Sequence, residues 1–243
     1  MNRIALSAAL LIGHVTVAQV SIGLRVGPTF SKWHYGDFGS LEEYMNDHSN
    51  AVTGFTIGLP AEFRFAKALA MQAELAFMQR GGTLDAGGVT TNYTFNYRVT
   101  SMDLCILVKP GIPIKDLRIN FLVGPCLSNG LSVTRTDVVE TSGGNNASSP
   151  VLNPVFGQDE DEFSRLDVSL VAGGGASYAF GRHSVFVEAR YMHGFFNVFG
   201  DLWTYTDQYG NALGDGRVTS RAWMGLAGYM FRLGKERDPP STK

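Results

Sequence analysis

The sequence predicts an all-β fold, an eight-stranded antiparallel up-and-down barrel that spans a membrane. Three observations point there: eight segments of period-2 alternation, connections alternately short and long, and charges of both signs on the face opposite the apolar stripe. Each strand is expected to present apolar side chains to lipid and polar ones to a lumen. The composition agrees. Hydrophobic residues make up 44% of the 243-residue chain and charged residues only 17%, against about 25% in soluble domains. Gly contributes 29 residues, about 12% where roughly 7% is usual. The formal net charge is −2, which supplies no basic footprint for nucleic acid.

The N-terminus reads as a cleavable export signal over residues 1–18. Arg3 is the positive start, Ile4 to Ile12 the short apolar stretch, and Val15-Thr16-Val17-Ala18-Gln19 offers small residues for cleavage after Ala18. The barrel is expected over 19–234 and a short polar tail over 235–243. No later run approaches the ~20 apolar residues of a transmembrane helix, so a spanning chain must close as a barrel.

The strands follow in order. The first sets Ile22, Leu24, Val26 and Phe30 against Arg25 and Thr29, and the second sets Phe55, Ile57, Leu59, Phe63 and Phe65 against Glu62 and Arg64. The third opposes Leu69, Met71, Leu75 and Phe77 to Gln72, Glu74 and Arg80, and the fourth opposes Leu104, Ile106 and Val108 to Asp103, Cys105 and Lys109. The fifth places Ile119, Phe121, Val123 and Leu127 opposite Arg118, Asn120 and Cys126. The sixth runs Leu166 to Phe180 with Asp167, Ser169 and Ser177 inward, and the seventh has Val185, Val187 and Tyr191 outward with Glu188 and Arg190 inward. The eighth is the least regular. It is read with Trp223, Tyr229, Phe231 and Leu233 outside and Arg221 and Arg232 inside.

Links after the even strands are short, at 66–68, 110–116 and 181–184. Those after the odd strands are long and polar, at 34–51, 81–96, 131–164 and 194–217. Short turns on one rim and long loops on the other is the bacterial outer-membrane arrangement. Inward charges of both signs can pair across a narrow lumen, so the barrel is expected to be plugged. Phe30, Trp33, Phe55, Phe65, Phe77, Tyr178, Phe180, Trp223 and Phe231 fall near strand ends, where interfacial girdles form.

Several stretches resemble the PorT-like outer-membrane β-barrel family. They are residues 20–31 (VSIGLRVGPTFS), 121–127 (FLVGPCL), 167–176 (DVSLVAGGGA), 187–191 (VEARY) and the ending 226–234 (LAGYMFRLG). The resemblance implies an integral outer-membrane protein and carries no catalytic motif. A tail beyond the last strand departs from the family's habit of ending on that strand.

His183, Ser184 and Glu188 invite comparison with membrane-embedded lipid hydrolases, but neighbours on a strand face opposite ways, and a polar turn is the simpler reading. The acidic run 159–162 lacks the spacing of a calcium loop and reads as a solvated loop tip. Gly173-Gly174-Gly175 precedes no helix, so close strand packing explains it better than nucleotide binding. Cys105 and Cys126 fall on strands joined by a short turn. They fit either a disulfide, which export allows, or two small thiols filling the lumen. The histidines are scattered and no Cys/His cluster has metal-ligand spacing, so no cofactor or metal is expected.

The expected function is a non-enzymatic surface, binding or assembly component. The alternatives are a lipid-modifying enzyme, a small-solute pore and a soluble lipocalin-like barrel. Expected partners are outer-membrane lipid and lipopolysaccharide, with an envelope protein or glycan reached through the loops. The candidate loop surface comprises Trp33, Tyr35, Tyr44, Tyr93, Trp203, Tyr205 and Tyr209, with Tyr97 on the same rim. These aromatics can present contact area, pack on one another, or sit at headgroup depth.

Overall fold

The computed structural model describes residues 19–87, 91–141, 147–151, 163–199, 204–206 and 212–233. The expected export signal over 1–18, the expected tail over 235–243, Trp203, Tyr209 and the acidic run 159–162 lie outside them. Eight long strands form the wall: β1 (Gln19–Gly36), β2 (Val52–Ala66), β3 (Leu69–Gly87), β4 (Thr91–Ile114), β5 (Leu117–Thr141), β6 (Leu166–Phe180), β7 (His183–Gly194) and β8 (Arg217–Leu233). Each pairs antiparallel with its sequence neighbour, and β1 pairs with β8 to close the ring. Closure leaves no open edge, the condition for strands to cross lipid. Among the described residues no helix is long and apolar enough to cross a membrane.

The stagger follows from the register. The partners Val20, Phe63, Met71, Val108, Val123, Ala172, Tyr191 and Trp223 lead round the wall and back to β1 at Phe30, ten residues on from Val20. With about 3.3 Å rise per residue and about 4.8 Å between strands, eight strands so staggered tilt by roughly 40°. At that tilt the stripe from Phe55 to Phe65 spans about 25 Å along the axis, the height of an outer-membrane apolar band. Its members face outward; Leu59 is 60% exposed, which in water would be a large unprotected patch.

The wall turns at Lys67–Ala68, Lys115–Asp116 and Gly181–Arg182 on one rim. Lys115 and Gly181 take positive φ, 54° and 62°, which brings the chain round in two residues. On the other rim the strands outrun the apolar band. The stretch expected as a loop over 81–96 is largely paired strand, joining Gly87 to Asn92 and Gly81 to Arg98. The stretch after 131 continues β5 to Thr141 and pairs with a short strand, Ala147–Val151. A two-stranded ribbon joins Thr204–Thr206 to Ala212–Asp215. Between β1 and β2 the chain forms a short helix, α1 (Glu42–Asp47). These extensions lie outside lipid, where side chains on both faces can be polar, so the hydrophobic alternation fades while the ladder continues.

Two placements differ from the sequence reading. Arg221 has the parity of Trp223 and projects outward, opposite Lys32 on β1, rather than into the lumen. Trp33 has the parity of Arg25 and Thr29 and points inward, so it belongs to no outer girdle.

Candidate functional site

The lumen is filled by side chains. Its principal network centres on Arg190, 1% exposed, whose guanidinium reaches Glu188 at 2.6 Å and Glu74 at 3.1 Å. Glu74 also pairs with Arg25 and accepts from Gln72 Nε2 at 2.8 Å. Lys109 bridges Glu188 at 2.9 Å and Glu62 at 3.2 Å, and Glu62 meets Arg64 at 2.7 Å. Three carboxylates are thus held by cations from β1, β2, β4 and β7. Isolated charges in such an interior would be prohibitive, whereas a cross-barrel network offsets the cost of taking them from water.

An apolar cluster that includes Met78, Leu107, Leu122, Val171, Met192 and Met224 fills the lumen beside these charges. Within it Cys105 and Cys126 are register partners on β4 and β5 and form a disulfide, with Cα atoms 4.0 Å apart. Nearer the long-loop rim, Arg80 pairs with Asp167 at 3.1 Å, and Ser101 Oγ donates to Asp103 at 2.8 Å.

A lid of rings closes that end. Trp33 lies 4.8 Å from Tyr97, 5.1 Å from Phe199 and 6.4 Å from Phe163, centroid to centroid. Tyr35, Phe38, Val133 and Val218 complete the cluster. The lid can sit so low because Gly82 lies beneath it: a Cβ there would come within 2.7 Å of the indole. Gly82→Val is therefore expected to displace Trp33 and cost about 1–3 kcal/mol, read as a changed near-ultraviolet dichroism signal and a lower urea midpoint. Asp167 ties the lid to the charges below, since its carboxylate accepts the Phe196 N–H at 3.3 Å. On the β1–β2 side Asn46 clamps α1 to the rim, donating to the Tyr35 carbonyl at 2.7 Å and accepting its N–H at 3.0 Å.

The seven rim aromatics thus separate. Trp33 and Tyr35 are buried in the lid with Tyr97, taking the self-packing alternative. Tyr44 is exposed on α1 and stacks on His48 at 3.9 Å. Tyr93 and Tyr205 lie on described strands, but their side chains, like Trp203 and Tyr209 entirely, fall outside the described residues. Phe163 and Phe199, absent from that set, are lid members; each sits in a long connection that carries no strand alternation at that point.

His183, Ser184 and Glu188 do not converge. His183 stacks on Phe180 and bonds the Tyr229 hydroxyl on the outer wall, while Glu188 is engaged in the lumen by Arg190 and Lys109. Among the described residues no three His, Cys, Asp or Glu side chains gather as metal ligands. With network, apolar cluster and lid in series, large steady conductance in planar bilayers is not expected; a porin-sized step would contradict the filled lumen.

No curated protein matches the chain by sequence. Solved structures similar to it include Neisserial surface protein A, at 13% identity over 86% of this chain and 96% of that one, TM-score 0.39. They also include Ail, the attachment invasion locus protein of Yersinia pestis, at 14% identity over 87% and 98%, TM-score 0.34. A third is the outer membrane protein OprG of Pseudomonas aeruginosa, at 11% over 90% and 98%, TM-score 0.39. The family described as outer membrane protein beta-barrel domain matches residues 16–200, most of the wall just described, and the chain belongs to that family.

Proposed function

We propose that this outer-membrane barrel is a non-enzymatic surface or assembly component that engages its partner through the extensions on the long-loop rim. The observation that carries this reading is the filled lumen. The inward charges Arg25, Glu62, Glu74, Lys109, Glu188 and Arg190 pair with one another, and the cavity beside Trp33 and Arg80 holds only about 20 Å³, too small for a substrate. The paired extensions of β3–β4 and β5, and α1 with its exposed Tyr44, rise past the apolar band where a partner can reach them. Likeness of residues 20–31, 121–127 and 226–234 to PorT-like barrels supports membership of that narrower group. The partner class is an envelope protein or glycan, with outer-membrane lipid around the wall.

The test is a pull-down from outer-membrane extract. The helix Glu42–Asp47, the end of the β3–β4 ribbon at 84–95 and residues 142–162 are replaced by short Gly-Ser links, which is expected to leave heat-modifiable barrel mobility intact while partner capture is lost. Capture of the same partners by both proteins would move the binding surface to the opposite rim. Export is tested on the same preparation: intact mass should place the mature N-terminus at Gln19, and retained Met1 in cytosolic material would contradict it.

A further inference from the structure

The outer wall near the long-loop rim carries cations that the lumen does not use. Register aligns Lys32 on β1, Arg221 on β8 and His193 on β7 in one row. His34 follows two residues beyond Lys32, on the same face. One outward step toward the membrane midplane lies a second row, Phe30, Trp223 and Tyr191. Trp223 is 60% exposed and its ring lies 4.9 Å from Tyr191. The arrangement is a shelf of positive charge directly above an aromatic floor.

Among the described residues neither Lys32 nor Arg221 has a carboxylate within 4 Å. Lys32 donates to the Asn46 carbonyl at 2.9 Å, and Arg221 Nε is buried without an acceptor. The Glu42 carboxylate lies near His34 and accepts the Asp37 N–H at 3.2 Å; it forms no ion pair with Lys32 or Arg221 among the described residues. His193 makes ring contacts to Tyr191 and Phe195.

Aromatic rings on a membrane wall mark the boundary between acyl chains and headgroups. Cations one step above that boundary face the anionic part of the headgroup layer, and a guanidinium beside an ammonium suits a phosphate. We propose that this face binds the phosphorylated head of an outer-leaflet glycolipid of the lipid A type. Arg221 and Lys32 hold a phosphate, His193 flanks it, and Trp223 with Phe30 supports the first carbons of the acyl chains. The proposal rests on the placement of the barrel in the outer membrane and is independent of partner capture by the extensions.

The test uses the full mature chain in detergent micelles, with lipid A added and the bound fraction read by native mass spectrometry. The parent protein should retain lipid A, and Lys32→Ala/Arg221→Ala should bind about tenfold less, as loss of two charge-assisted contacts implies. Arg221→Lys should lie between them, because it keeps the charge and loses the fork. Lipid A stripped of its phosphates should bind the parent about tenfold less, which tests the site even if the double variant fails to fold. Equal retention by parent and double variant, or of intact and stripped lipid, would overturn the proposal. So would phosphatidylglycerol binding as well as lipid A, or millimolar inorganic phosphate displacing it.

Discussion

Replacing Arg190 with leucine is expected to lower the stability of the barrel by about 3–5 kcal/mol, the cost of removing one partner from a buried ion pair. Arg190 touches Glu74 and Glu188 at once, with Nη1 3.1 Å from Glu74 Oε2 and Nε 3.0 Å from Glu188 Oε2. Without it Glu74 keeps Arg25 and Gln72, while Glu188 must share Lys109 with Glu62. Two carboxylates then lie in a dry lumen with too little positive charge. Urea unfolding from lipid vesicles should show a lowered midpoint with little change in slope. Arg64→Leu is the control: Arg64 is 31% exposed at the lumen mouth and the buried Glu62 keeps Lys109 and Arg118 without it, so a smaller loss of about 1 kcal/mol is expected. Equal effects at the two positions would mean that the network is hydrated and the lumen open.

Replacing Leu59 with arginine should cost about 2–4 kcal/mol, the penalty for a lipid-facing charge near the midplane. Leu59 sits near the middle of the Phe55–Phe65 stripe, and Phe121 is an outward-facing position on β5. Either substitution should slow or prevent folding into phosphatidylcholine vesicles. Lys32→Ala, at the rim, should leave insertion unchanged. In a soluble ligand-binding barrel the effect would differ, because there the apolar stripe lines the cavity and the protein folds without detergent.

The wall was legible in the sequence because lipid imposes strict period-2 alternation. Leu24, Leu59, Leu75 and Val187 read outward from pattern alone, as did Glu74, Lys109 and Arg190 inward. Parity also held the answer where the reading went astray. Trp33 is an even number of residues from Arg25, and Arg221 is two from Trp223, so each must share its neighbour's face. Residue type overrode parity in both cases, since tryptophan suggests a girdle and arginine a lumen. The lid was not legible. Phe163 and Phe199 reach Trp33 from connections far along the chain, and no local period reports a contact set by closure of the ring. The paired extension over 81–96 was hidden for a related reason: beyond the lipid nothing forces one face to be apolar, so the ladder leaves no hydropathy trace. Cys105 and Cys126 were open between thiols and a disulfide until the register set them opposite one another.

The most direct test of the account is which methyl groups touch lipid. With Leu and Val methyls labelled in protein reconstituted into bilayer nanodiscs, nuclear Overhauser contacts to acyl chains should appear at Leu24, Leu59, Leu75, Val123 and Val187. None should appear at Leu107, Leu122 or Val171, which are buried in the lumen. Acyl contacts at the second set, or a folded monomer in plain buffer with no contacts at the first, would contradict a closed membrane barrel with a filled interior.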